Sequence, residues 1–193
     1  MSKGLAVVAI ALAIGIGGAA YAQPVELEGV KFEPTVQVGG QALQLNGAGI
    51  RTRAIFKVYV AGLYVPQKST DADALLAQKG PRRVAIHMLR NVDADTFATS
   101  LADGLKANHS EQQLAAFKAQ SDALTATLKA IGEAKKGDAI FFEFTPEAGT
   151  RIVVNGQPRG NPIAGEDFFT AVLRIWLGNR PADSDLKKGM LGA

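Results

Sequence analysis

Arg51 and Tyr59 are the two side chains whose types and setting best suit the holding of a charged ligand. A guanidinium fork meets both oxygens of a carboxylate, and a phenol adds one further hydrogen bond. Both lie within residues 46–65, where Asn-Gly-Ala-Gly-Ile-Arg-Thr-Arg runs into the β-branched and aromatic Ala-Ile-Phe-Lys-Val-Tyr-Val-Ala-Gly-Leu-Tyr-Val. An arginine beside so apolar a stretch is costly to bury unpaired. Geometry sets a condition: in one straight strand the eight steps from Arg51 to Tyr59 would separate their Cα atoms by about 27 Å. The pair shares a ligand only if the chain bends within 47–53. Otherwise Arg51 pairs with an acidic group on the sheet and Tyr59 is an ordinary strand aromatic. Arg53 reads as a solvated charge at a strand end.

Other chemistry finds little support. His87 falls within an apolar strand and His109 at a helix junction, without the His-x-x-x-His or His-x-x-Glu spacing of a metal site, so no metal and no cofactor are expected. Glu166-Asp167 opens a helix, where carboxylates suit the macrodipole rather than acid catalysis. The chain has no cysteine, which removes thiolate, redox and Cys-zinc chemistry and any disulfide. A net charge of +3 without an arginine-rich run does not suit nucleic acid, and Arg82-Arg83 reads as a solvated strand end.

The elements that must position Arg51 and Tyr59 follow an antiparallel order. Residues 25–32 and 41–45 read as a hairpin around Gly39-Gly40, and 54–65 as a long strand stopped by Pro66. A short helix over 71–79 and a strand over 84–89 come next. A helix from Asp93 to Asn108 shows Phe97, Leu101 and Leu105 on one face. Ser110 and Gln113 form a capping box for a helix carrying Leu114, Phe117, Leu124, Leu128 and Ile131. Strands at 139–144 and 151–154 precede Asn155-Gly156, a strong hairpin-turn signal. Phe168, Phe169, Val172, Leu173 and Trp176 mark an apolar helix closed by Gly178, and Asp183 starts a short last one. This order predicts an α+β domain, an antiparallel sheet with helices on one face and a cleft between the layers. Ahead of it, Lys3, the apolar run 5–16 and Ala20-Tyr21-Ala22 have the form of a cleavable secretory signal, with the mature chain starting near Gln23. Residues 1–22 are therefore expected to be removed. One domain over 23–193, without a membrane anchor, would then work in a bacterial periplasm.

Two motifs resemble the chalcone isomerase family. One is Gly47-Ala48-Gly49-Ile50-Arg51 with the strand ending Gly62-Leu63-Tyr64; the other is Ala171-Val172-Leu173-Arg174-Ile175-Trp176-Leu177-Gly178 followed by Ser184-Asp185-Leu186-Lys187-Lys188. The resemblance implies a curved antiparallel sheet with a helical layer, an open-faced β-sandwich. Family enzymes cyclise chalcones with an arginine assisted by hydroxyls and an amide. Here Arg51 takes the arginine's place, Tyr59 stands at the strand threonine, Phe97 and Gly104 at the helix tyrosine and asparagine, and Ile175 at the last helix's hydroxyl. Fatty-acid-binding relatives on the fold keep an arginine and a tyrosine. The expectation is a non-catalytic protein binding an apolar carboxylate or phenolic ligand through Arg51, Tyr59, Phe97 and Trp176. The alternatives are an isomerase or intramolecular lyase, with Arg51 as electrophile and Tyr59 as proton donor, and a partner-binding scaffold whose pocket has filled.

Overall fold

The computed structural model describes residues 24–193. The secretory segment expected over 1–22 and the chain start expected at Gln23 lie outside the described residues.

Two short strands, β1 (Val25–Leu27) and β2 (Val30–Phe32), make a hairpin of their own across Glu28-Gly29. The turn expected at Gly39-Gly40 joins β3 (Thr35–Val38) to β4 (Gln41–Arg53), so its upstream arm is 35–38 and not 25–32. β5 (Phe56–Val65) pairs antiparallel with β4. Then come α1 (Ala72–Ala77), β6 (Arg82–Met88), β7 (Val92–Asp93), α2 (Ala94–Asn108), α3 (Glu111–Ala116) and α4 (Lys118–Lys129). β8 (Glu133–Ala134), β9 (Ala139–Thr145), β10 (Gly149–Val154), β11 (Gln157–Ile163), α5 (Glu166–Leu177) and α6 (Ser184–Met190) complete the chain. Seven strands form one antiparallel sheet in the order β11-β10-β9-β6-β5-β4-β3, while β7 pairs with β8. The α+β class and layering expected from the order of elements are what the structure has.

The side-chain period of two gives the sheet two different faces. Tyr59, Ala61, Leu63 and Val65 of β5, with Val84, Ile86 and Met88 of β6, face the helices and join one large core. On that core lies the stripe of α5 with Phe168, Phe169, Val172 and Trp176, all fully buried. Val60 and Tyr64 point the other way into a smaller cluster under Phe32 of β2. Local signals set the ends of the helices. Asp71, Asp93, Ser110 and Asp183 each accept backbone N–H bonds as N-caps, and the Ser110–Gln113 capping box is complete. The helix expected from Ser110 onwards breaks at Phe117, whose ring packs between His109 and Phe168.

Two expectations about charge and turn are corrected. Arg82 is not solvated: it is fully buried, its Nη2 donates to Glu166 Oε1 at 2.7 Å, and its guanidinium lies against the rings of Phe144 and Phe169. Strand alternation places it in the same inward row as Val84 and Ile86. Arg83, on the outer face, pairs with Glu143 at 2.6 Å. Gly47 and Gly49 do not turn the chain, since both sit in mid-strand in β4. Their missing side chains admit α6, which lies backbone to backbone on this strand: a Cβ on Gly49 would stand 2.9 Å from the Leu186 carbonyl oxygen. The turn comes later, at Ala54-Ile55, with Ala54 at a φ of 54°. The strand expected over 54–65 therefore starts at Phe56.

Candidate functional site

β4 and β5 form one hairpin, and this resolves the distance problem between Arg51 and Tyr59. They are direct cross-strand partners in the antiparallel register. Directly opposed residues point to the same face of a sheet, with Cβ atoms about 5 Å apart. The face is chosen by an irregularity upstream. The register shifts between Leu45 and Gly47, leaving Asn46 as an extra residue. Leu45 packs under Phe32, whereas Arg51 stands with Tyr59 on the helix side, because the extra residue reverses the alternation beyond it. Asn46 is itself buried and bonded at both ends of its amide: its Nδ2 donates to the Met190 carbonyl at 2.8 Å and its Oδ1 accepts from Ser69 N–H at 2.8 Å. A second shift follows between Arg51 and Thr52.

The Arg51 guanidinium lies over the Tyr59 ring, 5.6 Å from its centroid. Beneath it the Trp176 indole N–H donates to the Tyr59 hydroxyl at 2.9 Å, and both rings are buried. Burial raises the Tyr59 pKa above its ordinary value, against the downward pull of the Arg51 charge and the Trp176 hydrogen bond. The phenol is therefore neutral. Asp183, the N-cap of α6, also accepts from Thr52 N–H at 2.9 Å. Burial opposes its ionisation, but the backbone donors of Leu186, Thr52 and Asp185, together with the Arg51 charge, hold its pKa below the usual value. The end of β4, the start of α6 and Arg51 are thus tied electrostatically.

Arg51 lines two adjoining cavities. One, of about 390 Å³, is walled by Phe56, Val58, Val92 and Phe97. The other, of about 630 Å³, is polar, with Thr52, Thr99 and Asp103 in its wall. Arg51, Arg53, Thr96 and Ser100 belong to both, so the guanidinium stands where an apolar chamber meets a polar mouth. Arg51 Nε is buried without a hydrogen-bond partner, and Arg51 makes no salt bridge among the described residues. Arg82 and Arg83 each leave one nitrogen unpaired too, but each also holds a carboxylate.

Of the four residues expected to meet a ligand, Arg51 and Phe97 line the cavity. Tyr59 and Trp176 form a hydrogen-bonded layer below it. The sequence reading missed Thr96 and Ser100, spaced i and i+4 on one face of α2 beside Phe97, and Asp183, whose only sequence signal was that of a helix cap. Gly104 and Ile175 close on each other: a Cβ on Gly104 would come within 2.7 Å of Ile175 Cγ2. Two positions where the resemblance calls for an amide and a hydroxyl are here a tight apolar contact between α2 and α5.

The chalcone isomerase-like family profile matches residues 24–192. The chain belongs to the chalcone isomerase-like family. Among solved structures, it is similar to a fatty-acid binding protein of Arabidopsis thaliana, with a TM-score of 0.67 and 14% identity over 88% of this chain and 96% of that one. At that identity the likeness speaks for the fold. No curated protein sequence matches the chain. In this chain the Arg51 guanidinium has a buried phenol and indole beneath it.

Proposed function

We propose that this chalcone isomerase-like protein is an exported, periplasmic, non-catalytic binder of an apolar carboxylate, fatty-acid-like in character, with Arg51 holding the charged head. The observation that carries this reading is the partly buried Arg51 guanidinium, without an ion-pair partner among the described residues and with its Nε unbonded, at the junction of an apolar chamber and a polar mouth. An anionic head there supplies the missing partner, and Phe56, Val58 and Phe97 take the hydrophobic body. The Arabidopsis neighbour, named for binding fatty acids, is consistent with the same ligand class. The neutral Tyr59 phenol adds stiffness under the guanidinium rather than a proton to a reaction.

Palmitate titrated into the purified protein, followed by calorimetry, is the direct test. Arg51→Ala should weaken binding by about 2 to 5 kcal/mol, because the ligand charge is left unpaired in a partly desolvated site. Equal affinity in wild type and Arg51→Ala would leave the scaffold reading in front. Chalcone cyclisation should stay at the spontaneous rate, since Gly104 and Ile175, packed against each other, supply neither the amide nor the hydroxyl that the resemblance calls for at those two positions. Turnover that disappears in Arg51→Ala would favour the isomerase reading. Export rests on the N-terminal pattern, and N-terminal sequencing of the protein from a periplasmic extract should begin at or beside Gln23.

A further inference from the structure

The turn between β4 and β5 carries the largest exposed apolar side chains of the described residues. Ile55 is 85% exposed and Phe56 52% exposed, well above Val25 of β1 at 37%. Cations surround them. Arg53, Lys57 and Arg90 are all exposed, and the Arg90 guanidinium lies 4.4 Å from the centre of the Phe56 ring. The 135–137 loop lies at the same end of the sheet, because Lys136 N–H donates to Asn91 Oδ1 and Gly137 N–H to the Met88 carbonyl, which brings Lys135 and Lys136 close. Carboxylates are present as well: Glu28 pairs with Lys57, and Glu133 accepts from Asn91. Arg53, Arg90, Lys135 and Lys136 have no ion-pair partner among the described residues.

We infer that this hairpin tip docks on an anionic phospholipid surface, Ile55 and Phe56 entering the headgroup layer while Arg53, Arg90 and the 135–136 lysines meet lipid phosphates. An apolar tip ringed by unpaired cations has the complementarity of that surface: each basic residue close to an anionic membrane adds attraction, and the inserted side chains add apolar burial. The position of the tip gives the docking a purpose. Arg53, Ala54, Phe56 and Arg90 also line the cavity beside Arg51, so the chamber is walled in part by the tip that meets the bilayer. A lipid-derived carboxylate passes between membrane and cavity without crossing open water. That loading role rests on the proposed ligand; the docking itself does not.

Co-sedimentation with vesicles tests it, using purified protein whose N-terminal residue has been determined. Vesicles of phosphatidylglycerol and phosphatidylcholine in equal parts should bind the protein, and vesicles of phosphatidylcholine alone should bind it far less. Ile55→Asp should lower the affinity for the anionic vesicles by about tenfold or more. Raising the salt to about 0.5 M should release most of the protein, since the attraction between exposed charges is screened. Ile55 is outside the cavity wall, so Ile55→Asp should keep wild-type palmitate affinity; this separates failure of docking from failure of ligand binding. Equal binding to both vesicle types, or undiminished binding by Ile55→Asp, overturns the inference. A dimer in sedimentation velocity that Ile55→Asp dissolves, without vesicle binding by wild type, also overturns it and assigns the tip to a second copy of the chain.

Discussion

The Trp176 indole N–H finds its acceptor in the Tyr59 hydroxyl oxygen in a place where neither ring can reach water, and a buried donor left without its acceptor costs more than the bond itself contributes. Tyr59→Phe should therefore destabilise the fold by about 1 to 3 kcal/mol, because the indole N–H loses its acceptor. The double variant Tyr59→Phe/Trp176→Phe should cost less than the sum of the two single changes, since no orphaned donor remains. Urea denaturation of the four proteins gives the coupling, and strict additivity would mean that the bond carries no net energy. At this scale the sequence was partly legible. Arg51 and Tyr59 stood out because polar groups beside apolar runs are few. Arg82 did not, because its neighbour Arg83 suggested a solvated pair. The inward alternation of Arg82, Val84 and Ile86 would have identified it, but Glu166 lies more than 80 residues away and nothing local announces such a partner.

Among elements, the contact of α6 with β4 is the one that decides the site. Gly47, Gly49 and Gly189 let helix and strand approach with no side chains between them, and Asn46 and Asp183 clamp the two ends of α6 to β4. Gly49→Ala should cost about 1 to 3 kcal/mol, because the new methyl group meets backbone atoms that cannot rotate away. The same substitution should weaken palmitate binding, since lifting α6 moves Asp183 and with it the setting of Arg51. Stability unchanged in a denaturation series would show that α6 is free to shift. The capping residues and the Asn155-Gly156 turn were readable because each carries its own chemistry. Gly47 and Gly49, within the stretch where a bend is expected, are ambiguous in the sequence, because an absent side chain suits both a bend and a close approach, and the approaching helix is some 140 residues downstream.

For the molecule as a whole, the outer face of the sheet carries groups that answer pH at both ends of the range. His87 lies on the outer face, edge-on between the rings of Phe32 and Phe141, and burial lowers its pKa from the ordinary 6.5. Below pH 6.5 the unfolded chain takes up a proton there that the folded chain resists, so stability falls as the solution is acidified through this range. Tyr64, on the same face, donates to the Glu33 carbonyl, and its pKa is pushed by burial from 10.0 to about 12. Above pH 10.0 the unfolded chain loses a proton that the folded chain keeps, so stability falls on that side as well. The urea midpoint should be flat between these limits and decline beyond each. His87→Gln should flatten the acid limb of the curve without moving the alkaline one. An acid limb identical in His87→Gln and wild type would assign it to carboxylates instead.

The unpaired register at Asn46 makes the polar site dependent on a count of residues. Deleting Asn46 would only make the ladder regular, with Leu45 and Gly47 following each other opposite Tyr64 and Leu63, whereas deleting a regularly paired residue such as Ala48 would exchange the faces beyond it: Ile50 would turn toward Tyr59, and the guanidinium of Arg51 toward the Phe32 side. Function at this sheet is therefore more vulnerable to a one-codon deletion among the paired residues 47–50 than to many substitutions of the residues that line the cavity. An arginine in a relative corresponds to Arg51 only when the residues back to the regular part of its strand, with any bulged residue left out of the count, have the same parity.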